Sequence, residues 1–232
     1  MRPAKTKMPP NCFAADQIGS LLRPQYLLDI QSAVVPFASL HNTYSKDAAS
    51  AEVSKLHEME RRAIADVVKF QVDHGITPIT DGEFARASFV SGFFEKLEGM
   101  EIQYTTWDIF KTEFPIIRPY LRRDIPGRDL PIATGKVRWQ GSTYMEQWLY
   151  VRALLDESRW KDVKVTIPSP CWTHLQVKQG KAWKDGVYEG EGADEEYLKD
   201  CGEAVRQEIM ALYEAGWHVF AQDPLSSYEK AD

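Results

Sequence analysis

The stretch Gly75-Ile76-Thr77-Pro78-Ile79-Thr80-Asp81-Gly82-Glu83-Phe84-Ala85-Arg86 decides how this sequence is read. Ile76 to Thr80 is a brief apolar run bounded by turn residues, the pattern of a buried parallel strand. Gly75 closes the helix before it, and Gly82 breaks the pattern after it. Asp81, Glu83 and Arg86 then crowd the carboxyl end of the strand, which is where α/β folds place their chemistry. Two readings of the three charges stand side by side: an ion pair that pins a loop, or a catalytic and binding site.

Upstream of this stretch, apolar residues recur at spacings of three and four (Val53, Leu56, Ile64, Val67, Val68), predicting a long helix over residues 48–74. Glu58, Glu60, Arg61, Arg62 and Lys69 fall on its other side and read as a solvated face. Further back, Ile18 begins a short strand, Gly19 lets backbone pass close to a neighbour, and Ser20 and Arg23 are polar groups at the strand end. Pro24 suits the first turn of a helix.

Downstream, residues 98–129 are rich in aromatics and proline and read as an excursion over a site rather than a linker. A strand is predicted within residues 130–139 and a helix over residues 142–158. Val163 to Ile167 reads as another strand, followed by Pro168-Ser169-Pro170-Cys171-Trp172-Thr173-His174. Residues 178–193 read as a surface loop. A helix is predicted over residues 193–215, and a last strand leads into Gln222-Asp223-Pro224. Alternating strands and helices imply a parallel sheet. Five strands, near residues 18, 78, 134, 165 and 220, predict an α/β protein built as a partial (β/α) barrel. Residues 1–15 read as a flexible N-terminal segment and residues 16–232 as the barrel domain.

The composition bounds the partners. The chain has 232 residues, is 44% hydrophobic and 27% charged, and carries a formal net charge of -6. That is a globular composition, and without a basic stripe it argues against nucleic acid. No apolar run approaches the roughly 20 residues of a bilayer span. Cys12, Cys171 and Cys201 are odd in number and far apart, which argues against a disulfide framework and for a cytoplasmic location. Cys171 and His174 are the one nearby Cys/His pair. His74, at a helix end, and His218, at a strand start, read as structural.

Four motifs in order, Ile18-Gly19-Ser20-Leu21-Leu22-Arg23-Pro24, Thr80-Asp81-Gly82-Glu83-Phe84-x-Arg86, Lys164-Val165-Thr166-Ile167-Pro168-Ser169-Pro170 and Ala215-Gly216-(x6)-Asp223-Pro224, resemble the cobalamin-independent methionine synthase family, and more closely its short single-barrel relatives. The resemblance implies a TIM barrel that moves a methyl group from a methyl-folate to the thiol of homocysteine. It places Ile18, Gly19, Ser20 and Glu83 at the backbone of an amino-acid substrate, Trp172 under the folate ring and Asp223 at the pterin. A carboxylate suits an ammonium, an indole suits a flat ring, and an acid can shuttle a ring proton. Arg23, Arg86 and His174 join these as binding candidates, and Asp81, Glu83 and Asp223 as catalytic ones.

The family's zinc is held by His, Cys, Glu and Cys on strands beyond the aspartate motif, and the sequence ends before them. The resemblance therefore implies a barrel truncated after its fifth strand, with no metal or other cofactor bound by this chain alone. Three explanations stay open: a homo- or hetero-oligomer completes the barrel, the pocket serves another metal-free reaction, or the chain is a non-catalytic binding subunit.

Overall fold

A computed structural model describes residues 17–35, 48–111 and 126–217, and the backbone of 219–222. The chain forms helix α1 (Gln25–Val34), helix α2 (Ser50–Asp73), strand β1 (Glu98–Thr106), strand β2 (Gly127–Arg138), helix α3 (Met145–Ala153), strand β3 (Lys164–Ile167), the short helix α4 (Trp172–Gln176), helix α5 (Ala193–Glu214) and strand β4 (Val219–Gln222). It is an α/β protein.

α2 follows its apolar spacing closely. Leu56, Ala63, Ile64 and Val68 are buried along one face, and Glu52 reaches back to the backbone N–H of Ala49 at 3.0 Å to tie down the first turn. Gly75 takes a left-handed φ of 66°, so the N–H groups of Gly75 and Ile76 turn back onto the carbonyls of Val72 and Gln71. That turn aims the chain into the Ile76–Thr80 segment.

The buried sheet is parallel, as predicted, but its ladder is short. β3 and β4 pair in parallel over four residues each. Ile79 bridges Val163 in parallel on the other side of β3. The first segment lies beside the second by matched links. Gln17 donates to the carbonyl of Pro78, Thr80 Oγ1 donates to the carbonyl of Gly19, and Leu21 N–H donates to the carbonyl of Gly82. Segments near residues 18, 79, 165 and 220 therefore run side by side in the same direction.

The predicted fifth member of that row is overturned. β2 pairs antiparallel with β1, from Glu98↔Arg138 to Thr106↔Gly127. The excursion of residues 98–129 thus begins with a strand, and the parallel sheet loses residues 130–139. Alternating apolar residues fit an antiparallel partner as well as a parallel one, so the local pattern did not choose between them. The predicted surface loop of 178–193 is also corrected. Trp183 and Tyr188 are buried, and Trp183 bridges Ala133 of β2. The predicted helix of 142–158 is shorter, ending at Ala153.

One buried carboxylate stitches two of these elements together. Glu208 on α5 accepts hydrogen bonds from Ser142 Oγ, Trp139 Nε1 and the backbone N–H groups of Thr143 and Tyr144. A carboxylate at a helix start meets orphan N–H groups and the positive end of the dipole, so Glu208 caps α3 from across the fold. No helix among the described residues is long and apolar enough to cross a membrane.

Candidate functional site

Gly82 and Glu83 take successive left-handed φ values of 67° and 60°. For a residue with a side chain, that conformation is uncommon and is held by its surroundings. Here Asp81 Oδ1 accepts the N–H of Glu83 at 2.9 Å, Thr80 Oγ1 accepts the N–H of Gly82, and the N–H of Arg86 closes the turn on the carbonyl of Glu83. The turn swings the Glu83 side chain across the ends of the parallel segments.

The Glu83 carboxylate, 3% exposed, is met from three directions. Ser20 Oγ donates to Oε2. Thr166 Oγ1 donates to Oε1 at 2.7 Å. Arg86 Nη1 stands 3.9 Å from the same oxygen and donates to the carbonyl and hydroxyl of Thr166 at 3.1 and 3.0 Å. Gly19 packs at this junction. A Cβ there would overlap the Thr166 side chain and lie 2.7 Å from Glu83 Oε1, so the close approach requires glycine.

Arg86 is 2% exposed, and its guanidinium lies 4.4 Å from the ring centroid of Tyr144, a cation–π contact. Burial pushes the Tyr144 phenol far above its ordinary range. Arg23 comes from the other side and donates through Nη2 to the carbonyls of Glu83 and Arg86 at 3.0 and 2.6 Å. One arginine therefore supplies charge to the carboxylate, while the other holds the backbone of the turn.

Of the sequence candidates, Gly19, Ser20, Arg23, Asp81, Glu83 and Arg86 are brought together. Ile18 is adjacent but points away, 75% exposed. Trp172 is linked to the group through Phe89: Arg86 Nη1 donates to the Phe89 carbonyl at 3.3 Å, and the Phe89 and Trp172 rings meet edge-on at 4.9 Å. At 1% exposure, the indole has no face open for stacking. His174 pairs with Asp194 on α5 at 3.6 Å, and Cys171 Sγ lies 2.9 Å from Ser169 Oγ. Cys201 is buried on α5, and burial pushes its thiol up to about 12. His74 sits at the end of α2, with Nδ1 2.8 Å from the Phe70 carbonyl, consistent with a structural role. Asp223, Cys12 and His218 lie outside the described residues.

Sequence reasoning missed Thr166, Tyr144 and Glu60. Thr166 carried a signal: a lone hydroxyl between Val165 and Ile167 in a buried strand needs a partner. Tyr144 carried none, because its role is to lie over Arg86. Glu60 was grouped with the solvated face of α2 but is only 9% exposed, and burial pushes its carboxyl up to about 7 against the opposing pull of Arg23.

No family model matches the chain. The uncharacterized protein YxjH of Bacillus subtilis (strain 168) is 26% identical over 214 residues, which cover 92% of this chain and 48% of YxjH. YxjG of the same organism, also uncharacterized, is 29% identical over 210 residues, covering 90% and 47%. The chain thus spans about half the length of the curated relatives it matches. Among solved structures, a B12-independent methionine synthase from Shewanella sp. W3-18-1, in complex with selenomethionine, superposes with a TM-score of 0.57 at 20% identity, covering 89% of this chain and 50% of that one. A putative vitamin-B12-independent methionine synthase from Listeria monocytogenes gives a TM-score of 0.59 at 24% identity, covering 95% and 54%. At these identities the likeness is one of fold: the chain shares an α/β architecture with B12-independent methionine synthases.

Proposed function

We propose that this chain forms the amino-acid-binding part of a methyltransferase-type (β/α) barrel, acting on a homocysteine-like thiol with a methyl-folate as donor, and that association with another chain completes the barrel. The observation that carries the reading is the fixed carboxylate of Glu83. A carboxylate has about four acceptor positions; Ser20 and Thr166 use two, leaving about two for the donors of an ammonium. Ser20 itself is exposed, so a ligand approaches from its side. Arg86, buried behind, supplies the counter-charge that a buried carboxylate needs. The likeness in fold to a methionine synthase solved with selenomethionine supports the same class of ligand.

The family resemblance implies zinc, which deprotonates a bound thiol and makes it a strong nucleophile. Among the described residues no group of three or more His, Cys, Asp or Glu side chains could hold a metal ion. The described donors do not fit zinc. The chain's own part is to bind and orient the amino-acid end of the substrate; in the proposal the thiol-activating groups come from the completing chain.

Calorimetric titration with L-methionine tests the binding claim. The wild-type chain is expected to bind and Glu83→Ala to lose binding; equal affinities would remove Glu83 from the site. The solution mass tests the assembly claim. A species larger than the 26.5 kDa chain is expected, and a stable monomer counts against a shared barrel.

A further inference from the structure

The guanidinium of Arg86 serves the site through one nitrogen only. Nη1 donates to Thr166 and to the Phe89 carbonyl and stands beside Glu83 Oε1. Nε is buried and meets no acceptor among the described residues. Two groups on α3 are in the same condition. Trp148 Nε1, on a side chain 1% exposed, and Gln147 Oε1 are buried without a hydrogen-bond partner. All three residues line one small cavity, together with Asp81, Lys164 of β3 and a wall of valines. Buried polar groups are paired in the great majority of cases, so two donors and one acceptor unmet around the same space call for a physical account. Asp81 adds a carboxylate of which one oxygen accepts the Glu83 N–H, with acceptor positions to spare.

We infer that this cavity is a binding site for a single water molecule, which ties the charged turn at Asp81 and Arg86 to α3. Its volume, about 10 Å³, suits one water and nothing larger. The lining selects the same occupant. A cation would meet the buried side chains of Arg86 and Lys164, and an anion would meet the Asp81 carboxylate. An apolar occupant would leave every polar group unmet. A water answers all of them: it accepts from Arg86 Nε and Trp148 Nε1 and donates to Gln147 Oε1 and Asp81, which is its full set of four bonds. The consequence reaches Glu83. A guanidinium is a rigid plane, so a bond that holds Nε also holds Nη1 beside the Glu83 carboxylate and keeps the plane over the Tyr144 ring. The site thus passes the position of α3 to the carboxylate that the turn presents.

The test uses no ligand of the Glu83 carboxylate, so its result stands apart from the amino-acid reading. A high-resolution crystal structure of the wild-type chain is expected to show one solvent peak within about 3.2 Å of Arg86 Nε, Trp148 Nε1, Gln147 Oε1 and an Asp81 oxygen. No peak there, or direct bonds among those four groups that close the space, would overturn the inference. In solution, water-selective NOE and ROE spectra are read at the Trp148 indole N–H and the Arg86 Nε–H. Both are expected to show a cross-peak to water, with the NOE sign of a long-lived molecule and the ROE sign that excludes proton exchange. Gln147→Leu removes an acceptor and fills the space with an apolar branch, so both cross-peaks should vanish together. Loss of one without the other means that no water is shared, and survival of both is equally fatal to the idea. If the variant does not fold, the wild-type density and the wild-type cross-peaks decide, and the absence of either overturns the inference.

Discussion

Thr166 donates its hydroxyl hydrogen to Oε1 of Glu83 at 2.7 Å, joining β3 to the turn that follows Ile79 across 83 residues of sequence. The same oxygen atom of Thr166 accepts from Arg86. This small side chain therefore sits between the acid and the base of the site and sets how far apart they stand.

Replacing Thr166 by Val keeps the shape and removes both hydrogen bonds. Bonds to charged groups are worth about 1.5–3 kcal/mol, so Thr166→Val is expected to destabilise the fold by about 2 kcal/mol in urea unfolding, while Thr166→Ser stays near wild type. If binding depends on the aim of Glu83, L-methionine affinity falls with the first and not the second.

Gly19→Ala puts a methyl group into the Thr166 side chain and against Glu83 Oε1. Overpacking of this kind costs about 1–3 kcal/mol. The expected result is a lowered melting temperature together with weakened L-methionine binding. At the neighbouring exposed Ile18, substitution by Ala should change neither measurement appreciably.

Glu208 is buried and receives donors from Trp139, Ser142, Thr143 and Tyr144. Glu208→Ala strips all of them of their acceptor at once. Each buried donor left unmet costs about 1–3 kcal/mol, so a loss of more than about 3 kcal/mol is expected by chemical denaturation. Because Tyr144 lies over Arg86, the variant should also weaken binding at Glu83.

The carboxyl of Glu60 gives a pH dependence with a definite sign. Its folded-state pKa, about 7, lies above the ordinary value of 4.5. The stability linked to its protonation is fully present below about pH 4.5 and is lost as pH rises to about 7. At 1.36 kcal/mol per pKa unit, the loss amounts to about 3 kcal/mol. Glu60→Gln is therefore expected to flatten the stability profile across that window and to melt higher than wild type at pH 8.

Much of the fold was legible in the chain. The three-and-four spacing of Val53, Leu56, Ile64 and Val68 gave α2 and the glycine at 75 gave its end, whereas the apolar run before Asp81 predicted a strand where the described residues form only an isolated parallel bridge at Ile79. The same reading placed Gly19, Ser20, Arg23, Asp81, Glu83 and Arg86 at strand ends, and the structure gathers them into one cluster. Residues 130–139 were placed in the wrong sheet, because strand periodicity reports which residues are buried and not which way the neighbouring strand runs.

Local pattern alone, then, determined the kinds of element and the identity of the charged turn, since helix and strand periods and glycine conformations act over a few residues. Tertiary structure alone decided that Glu83 meets Ser20 and Thr166, that Arg86 lies under Tyr144, that Glu208 caps a helix from across the fold, and that Glu60 is buried rather than solvated. Those outcomes depend on which groups leave water together. Desolvation and charge pairing act through space between residues far apart in the sequence, and no short window of sequence records them.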